Sequence, residues 1–404
     1  MRRSFAWRLG AILALGGFAG VLIAFLTPGG DAFDMSSFRQ VLSALGQHGP
    51  LGVYDALPHV GDVRWPYPPA YFPWVYASGV LASHGGPSLE FTIRLAPIAA
   101  NLGIAFVVRD FLGQRGAERS TRLAGAALVA LGPSFLVVSG YHGQFDAVAF
   151  LPAVLALTLW ERDLPRRALW AGLLIGLGGA LKTVPLLLLV ALLPSVRTRH
   201  EAAVLVGAAA LPVLAALAPF AIAGTLPDLH VFTYRGIPGA GGLSLVADPR
   251  IVEIYMGQGA PALGPAFTFL VQHGGIIAGL ALAAVAAVGL RTRATALPLA
   301  VLLWLAMYAF GVNFFFQYLI WGLPFFLMAG HLRAVLAVQL FLLGPSIILY
   351  GRPWASPAIV VIYAGAMIVA WLGWVVACAL QAKGLLTPRA PLGASGGGGQ
   401  ARVE

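Results

Sequence analysis

Long apolar runs separated by short polar segments repeat along almost the whole chain. A helix needs about 20 mainly apolar residues to cross the hydrocarbon core of a bilayer. The pattern therefore predicts an all-α, polytopic membrane protein with about twelve transmembrane helices. The first would run from Leu9 to Leu26, and the others are expected at 91–109, 122–139, 145–160, 167–181, 183–195, 202–223, 264–290, 294–311, 315–330, 334–350 and 358–381.

One further apolar run, residues 69–84, is not expected to cross the membrane. Pro68, Pro69 and Pro73 interrupt its start, and proline disrupts a helix interior. If the run crossed, the arginines between residues 109 and 122 would lie outside, although Lys and Arg normally collect in cytoplasmic loops. We therefore predict interfacial or re-entrant helices in the first external loop. Both chain termini and most of the 25 Lys and Arg residues then lie inside.

Composition narrows the class of protein further. The mean hydropathy is +0.85, with 59% hydrophobic and 10% charged residues, which excludes a soluble globular domain. The net charge of +10 follows from basic cytoplasmic loops, so we expect no nucleic-acid partner. Cys378 is the only cysteine, which excludes an intrachain disulfide. We expect one membrane domain over residues 1–389, a disordered tail over 390–404, and a monomer.

Carboxylates cluster in the loop that follows the first helix. The chain has only 15 Asp and Glu residues, yet Asp31, Asp34, Asp55 and Asp62 all lie in this loop. In the predicted topology, polar residues at later helix ends reach the same face. Ionisable groups at membrane depth are costly and usually functional. A solvated carboxylate, a snorkelling lysine or a structural bridge between helices would explain each residue singly, but their convergence favours a site.

Several short motifs resemble those of the GT-C superfamily of membrane glycosyltransferases. Asp34-Met-Ser-Ser-Phe-Arg39 is similar to a first-loop motif in which an Asp precedes an amphipathic helix. Tyr67-Pro68-Pro69 resembles an element of the dolichyl-phosphate-glucose glucosyltransferases and of bacterial mannosyltransferases. Gly143-Gln144-Phe145-Asp146 resembles the second-loop motif. Segments 181–185 and 316–321 are similar to later motifs of the mannosyltransferase branch, so the resemblance covers residues 1–330, roughly.

This resemblance implies an inverting enzyme that takes a sugar from a polyprenyl-phosphate donor on the outer face of the cell membrane. It implies transfer of a hexose, with mannose favoured, to a lipid-linked or glycan acceptor. Pro66 stands where the eukaryotic glucosyltransferases have Asp, which leaves the donor sugar and acceptor open. The second loop lacks the paired carboxylates with which oligosaccharyltransferases hold a cation. We therefore expect no required metal, although Asp31, Asp34 and Asp146 would offer Mg²⁺ or Mn²⁺ an all-oxygen site.

The residue types suggest roles in such a reaction. Inverting transfer needs a base for the acceptor hydroxyl, and cations stabilise the leaving phosphate. We predict Asp34 as the base, with Asp31 as the alternative, and Lys182, Arg235 or Arg250 as phosphate ligands. Tyr67 would stack on a sugar or anchor the interfacial helix. The full predicted substrate-binding set is Arg39, Tyr67, His142, Gln144, Asp146, Lys182, Arg235, Arg250, Gln317 and Tyr318.

Two other classes of membrane protein compete with this interpretation. A transporter or lipid-linked-sugar flippase carries ionisable groups within its spans near the midplane, whereas the later spans here are nearly free of charge. A structural membrane subunit would leave the acidic first loop unexplained. A nucleotide-sugar donor is not expected, because such enzymes usually carry a cytoplasmic α/β domain and the cytoplasmic loops here are short and basic.

Overall fold

Helices make up almost all of the described chain. The computed structural model describes residues 2–58, 65–232, 234, 236–351 and 356–387. Arg235, Asp62 and the tail 390–404, which entered the sequence predictions, lie outside these residues. The α-helices are α1 Arg2–Leu26, α2 Ala32–Ala56, α3 Phe72–Ser83, α4 Leu89–Gln114, α5 Arg119–Ala130, α6 Pro133–Leu136, α7 Asp146–Glu161, α8 Arg167–Leu181, α9 Leu188–Leu192, α10 Arg199–Ala223, α11 Gly242–Ala247, α12 Ile251–Tyr255, α13 Pro265–Thr292, α14 Ala296–Phe310, α15 Leu319–Met328, α16 Leu332–Gly351 and α17 Pro357–Leu386.

Seven helical stretches in the described chain are long and apolar enough to cross a membrane. They are Phe5–Leu26, Leu89–Gln114, Arg119–His142, Arg199–Ala223, Pro265–Thr292, Leu332–Gly351 and Pro357–Leu386. Four shorter apolar stretches accompany them, namely Arg167–Leu181, Val184–Ser195, Ala296–Phe310 and Phe316–Met328. The prediction of an all-α polytopic membrane protein is confirmed in this form, while the number twelve stays a prediction. The predicted span 145–160 corresponds to α7, a 16-residue helix that is buried on nearly all sides.

The first loop contains two helices. Helix α2 begins after Asp31, whose side chain accepts hydrogen bonds from the backbone N–H groups of Phe33 and Asp34 at 3.1 Å each. Its course bends at Gly49, where φ is 67°. Helix α3 has 12 residues, a length of about 18 Å at 1.5 Å per residue, which is too short for a hydrocarbon core of about 30 Å. Helices α7, α8 and α14 are also shorter than the core, so the expectation that residues 69–84 do not cross stays a prediction.

Two glycines on one face of α8 allow it to approach α10 closely. A Cβ atom at Gly172 would lie 2.5 Å from the Leu205 carbonyl oxygen, and one at Gly176 would lie 2.2 Å from that of Ala209. Small residues spaced four apart are a common means of close helix packing in membranes, where lipid gives no hydrophobic drive for association. This contact fixes α8, and Lys182 follows directly at its carboxyl end.

Aromatic side chains of the first loop pack around Phe145. The rings of Trp65 and Tyr71 stack on it with centroid distances of 5.6 and 4.2 Å, and Tyr67 meets it edge-on at 5.1 Å. The Tyr54 hydroxyl donates to the Tyr67 carbonyl oxygen at 2.6 Å. Buried aromatic pairs of this kind each contribute about 0.5–1.5 kcal/mol beyond area burial. The proline-rich segment therefore fixes the position of the short turn before α7.

Candidate active site

A cavity of about 360 Å³ lies where the first loop meets the ends of several helices. It is bounded by the start of α2, the carboxyl ends of α8 and α16, and the segment before α15. Its volume lies within the usual range for small-molecule sites. The lining includes eight of the residues predicted from the sequence, which are Asp31, Asp34, Tyr67, His142, Gln144, Lys182, Gln317 and Tyr318.

Asp34 is the centre of the first polar group in this cavity. Its carboxylate accepts a hydrogen bond from the Gln144 side-chain amide at 2.6 Å through Oδ1. Its Oδ2 atom lies 2.9 Å from Nδ1 of His142. All three side chains are buried. Because each carboxylate oxygen has two lone-pair positions, Asp34 can hold these two partners and still accept a proton from a ligand.

A short π-helix presents His142 and Gln144 to Asp34. The chain from Val137 to His142 forms this element, and the Gly143 N–H group bonds to the Val138 carbonyl oxygen at 3.0 Å. Gly143 then turns with φ 79°, a left-handed conformation that glycine adopts readily. Single π-helical turns are rare and occur frequently at functional sites. The π-helix and the turn together place two side chains, with one residue between them in sequence, on the same carboxylate.

Charges in the site match the helix ends on which they lie. Asp31, Asp34 and Asp146 lie at the amino ends of α2 and α7. His142 ends the π-helix, and Lys182 caps the carboxyl end of α8. Unpaired N–H groups make a helix amino end positive, and unpaired carbonyl groups make the carboxyl end negative. Each side chain therefore lies at the helix end whose partial charge is opposite in sign to the charge that the side chain carries when ionised.

Lys182 and Asp146 form the second polar group. Lys182 Nζ lies 2.8 Å from Asp146 Oδ1, which also accepts a hydrogen bond from the Trp321 indole N–H at 2.5 Å. The ammonium group lies 4.7 Å from the centre of the Tyr67 ring. The other carboxylate oxygen, Asp146 Oδ2, and Gln144 Oε1 are buried and make no hydrogen bond within the described part of the chain. Buried acceptors without partners are costly. Gln144 lines the cavity and is suited to receive a hydroxyl donor from a ligand, whereas Asp146 is fully buried and is not among the lining residues.

Several tyrosines with neutral side chains line the rest of the cavity. Burial raises the pKa of Tyr67 well above its ordinary value, and burial raises the pKa of Tyr234 to about 12. Both phenols are therefore protonated at neutral pH and can donate hydrogen bonds. The Tyr350 hydroxyl donates to Gln317 Oε1 at 3.1 Å, and the Tyr318 ring stacks on Trp321 at 3.8 Å. Aromatic faces beside charged groups suit a sugar, which has apolar faces and a polar edge.

The other predicted cations are bound to carboxylates elsewhere. The exposed Arg39 pairs with Glu90 at 2.6 Å. Arg250 pairs with Asp248 through contacts of 2.6 and 2.9 Å, and these hydrogen bonds hold the pKa of Asp248 down at about 2. Neither Arg39 nor Arg250 is among the residues that line the cavity. The structure therefore leaves Lys182 as the phosphate candidate that it places in the site, while Arg235 lies outside the described residues.

Three ligand atoms in the site lie close enough together to hold a metal ion. Side-chain atoms of Asp31, Asp34 and His142 lie within 4.8 Å of one another. This set differs from the predicted set of Asp31, Asp34 and Asp146. The Asp146 carboxylate instead accepts hydrogen bonds from the Lys182 ammonium group and the Trp321 indole N–H. Mg²⁺ prefers six oxygen ligands, and two carboxylates with an imidazole match that preference poorly. A transition metal fits the donor atoms better, although Asp34 already has two protein partners.

Sequence reasoning missed Arg94, Tyr350 and Tyr255. Arg94 lies within the predicted span 91–109, although an arginine inside an apolar span is itself a signal of function. The Tyr350 ring lies 4.7 Å from the His142 ring, and Tyr255 lines the cavity. Both tyrosines come from segments far from the site in sequence, where only the fold shows their approach.

Comparison with known proteins gives one match. The model of glycosyltransferase family 87 matches residues 65–312, which is more than half of the chain. This segment includes Tyr67, the π-helix, Asp146 and Lys182, whereas Asp31 and Asp34 precede it. No curated protein matches the chain, and no solved structure does.

Proposed function

Because this chain belongs to glycosyltransferase family 87, a family of GT-C-type membrane glycosyltransferases, we propose that it is an inverting hexosyltransferase. The donor is a polyprenyl-phosphate sugar, with mannose favoured. The acceptor is a lipid-linked or other glycan, and the reaction takes place on the extracytoplasmic face. The observation that carries this proposal is that a buried carboxylate, Asp34, and a buried ammonium group, Lys182, line one cavity at helix ends.

Asp34 is the proposed general base. The acceptor hydroxyl gives its proton to the Asp34 carboxylate while its oxygen attacks the anomeric carbon of the donor sugar. His142 and Gln144 hold the two carboxylate oxygens and thereby fix the orientation of the base. Asp31, whose Oδ1 atom caps α2, lines the same cavity and remains the alternative base. Attack opposite the leaving group inverts the anomeric configuration.

Lys182 is the proposed ligand of the leaving phosphate. As the bond between the anomeric carbon and the phosphate oxygen breaks, the phosphate keeps the electron pair and gains negative charge. An ammonium group has three N–H donors, and Asp146 takes one of them. The remaining donors can stabilise the developing charge in a site from which water is largely excluded. His142, which is positively charged when protonated, also lines the cavity.

The sugar is proposed to lie between the two polar groups. Gln144 Oε1, a buried acceptor at the cavity wall, would accept a hydrogen bond from a sugar hydroxyl. Tyr67 and Tyr318 offer ring faces and neutral hydroxyls at the walls. Gln317, held by Tyr350, borders the same space. Arg39 and Arg250 have no part in this version because each pairs with a carboxylate outside the lining.

Donor choice is the experiment that tests this proposal. Purified protein in liposomes would be given radiolabelled polyprenyl-phosphate mannose, polyprenyl-phosphate glucose, GDP-mannose or UDP-glucose, each with a lipid extract as acceptor. We expect transfer from the polyprenyl-phosphate forms, with mannose preferred, and none from the nucleotide sugars. Efficient transfer from a GDP- or UDP-sugar, with no response to the lipid-linked donors, would contradict the proposal.

A further inference from the structure

Arg94 is a fully buried cation beside the site. It belongs to α4, and its exposed fraction is 0%. Its guanidinium donates to the carbonyl oxygens of Thr27 at 2.7 Å, Ala24 at 3.1 Å, Gly140 at 3.3 Å and Pro28 at 3.4 Å. These carbonyl groups come from two separate places, the end of α1 and the π-helix. One side chain therefore ties together the two segments that lead to the site.

Backbone carbonyl groups serve as the partners of this buried charge, and among the described residues no carboxylate forms an ion pair with it. An isolated buried cation is costly, but the carboxyl end of a helix carries partial negative charge. Arg94 binds to the last turn of α1 and to the π-helix near its end, so two helix ends compensate one guanidinium. A planar guanidinium with five N–H donors suits several carbonyl groups at once, whereas a lysine ammonium has only three.

Two glycines next to site residues pack directly on Arg94. Gly30 precedes Asp31 and has φ 51°; a Cβ atom there would lie 2.0 Å from Nη2 of Arg94. Gly143 precedes Gln144, and a Cβ atom there would lie 3.2 Å from Cγ of Arg94. Left-handed conformations at both glycines turn the chain into the cavity. The arginine side chain therefore fixes the backbone position at which each of these two turns begins.

We propose that Arg94 is a positioning residue that holds Asp34 in register with His142 and Gln144. It acts on the reaction through the backbone, by fixing where α1 ends and where the π-helix ends, and it lines none of the cavity. The inference rests on the proposed function of Asp34 as the base. Loss of the guanidinium should leave substrate binding nearly intact while separating the base from its two partners.

The test compares Arg94→Lys and Arg94→Met with Asn101→Leu as a matched control. Asn101 lies on the same helix, is buried, and ties α4 to Phe135 and Ser139 at 3.1 and 2.8 Å, but it does not reach α1. A misplacement of about 1 Å can reduce a rate about 10²-fold, so we expect kcat to fall by that order in Arg94→Met. A smaller fall is expected in Arg94→Lys, with KM for donor and acceptor nearly unchanged. Asn101→Leu should lower kcat clearly less than Arg94→Met, because it frees only the π-helix and leaves the end of α1 in place.

A second measurement does not depend on turnover. Hydrogen exchange followed by mass spectrometry should show faster exchange in residues 27–35 and 137–145 together in both Arg94 variants. Asn101→Leu should affect only the second segment. Normal kcat with unchanged exchange in Arg94→Met would overturn the inference, and so would equal losses in all three variants. If the wild-type protein transfers no sugar at all while the exchange result stands, the proposed function fails and the structural role of Arg94 remains.

Discussion

Helix α7 has an acidic residue at each end, and helix α8 has a basic residue at or next to each end. The two ends of this helix pair lie in different surroundings. At the site end, Asp146 and Lys182 are both buried and lie 2.8 Å apart. At the far end, Glu161 pairs with the exposed Arg115, and Arg167 pairs with Asp163 and Glu201. There, Glu201 uses both carboxylate oxygens, one for the Arg167 guanidinium at 2.7 Å and one for a backbone N–H at 2.6 Å.

The two ends differ in whether both oxygens of the carboxylate have a hydrogen-bond partner. Glu161 accepts from Arg115 and, at 3.0 Å, from the backbone N–H of Leu297 at the start of α14. Asp146 leaves one oxygen buried without a partner in the described chain. Such an atom costs about 1–3 kcal/mol, which a structural role would not require. Far-end cavities of about 500 and 680 Å³ exceed the 360 Å³ site, so volume alone does not identify the site.

The largest effect in this comparison is expected at Lys182. Replacing it in Lys182→Met removes the proposed phosphate ligand, and removal of one such donor typically costs about 10²–10³ in kcat. It also leaves the Asp146 carboxylate buried without its cation, which is expected to destabilise the protein by about 3–5 kcal/mol. Transfer from the lipid-linked donor and thermal unfolding in detergent would be measured on the same preparation.

The double variant Lys182→Met/Asp146→Asn separates catalysis from folding. It contains no buried unpaired charge, and the amide can still accept from Trp321. We expect thermal stability near that of the wild type, with transfer still lost. Near-normal turnover in this double variant would show that the buried pair has a purely structural role.

A much smaller effect is expected at the far end. Arg162 contacts Gln114 and Asp110 at 2.5 Å, and its side chain is partly exposed. Exposed pairs contribute about 0–1 kcal/mol, so Arg162→Gln should change stability by no more than that. Donor and acceptor kinetics should match those of the wild type. A tenfold loss of kcat in this variant would mean that the two ends of α7 are coupled, contrary to the comparison drawn here.

The smallest expected effect is that of chelation. His142 and Gln144 already bind both oxygens of Asp34, so the site holds its base without a cation. Transfer should therefore continue at its usual rate in EDTA. The control is dialysis followed by addition of Mg²⁺ or Mn²⁺ in place of the chelator. Complete loss in EDTA that either ion restores would assign Asp31, Asp34 and His142 to a metal.

Much of this architecture could be predicted from the sequence, because apolar run length follows directly from bilayer thickness. The prolines at its start and the arginines that follow it indicated that residues 69–84 are not an ordinary span, and α3 has 12 residues. Helix breaks were harder to predict. The run 183–195 forms a short 3₁₀ turn before α9 and another after it. Pro185 lies in the first turn and Pro194 in the second.

The site was predictable only where charge or a motif marked it. Asp34, His142, Gln144, Asp146 and Lys182 stand out in an apolar chain, and the structure brings them together. Their pairing could not be derived, because it depends on a π-helical turn and on which helix ends meet. The same limit explains why Arg250 was a reasonable phosphate candidate by sequence. Only the fold shows its guanidinium bound to Asp248.

The central claim is that Asp34 is the base of a glycosyl transfer, and one measurement tests it most directly. Single-turnover transfer from the preferred lipid-linked donor would be compared in the wild type, Asp34→Asn and Asp31→Asn, with unfolding temperatures recorded for all three. Loss of a general base typically costs about 10²–10⁴-fold. We predict a loss of that size in Asp34→Asn, a clearly smaller one in Asp31→Asn, and folded protein in each case. Near-normal transfer by folded Asp34→Asn would contradict the account.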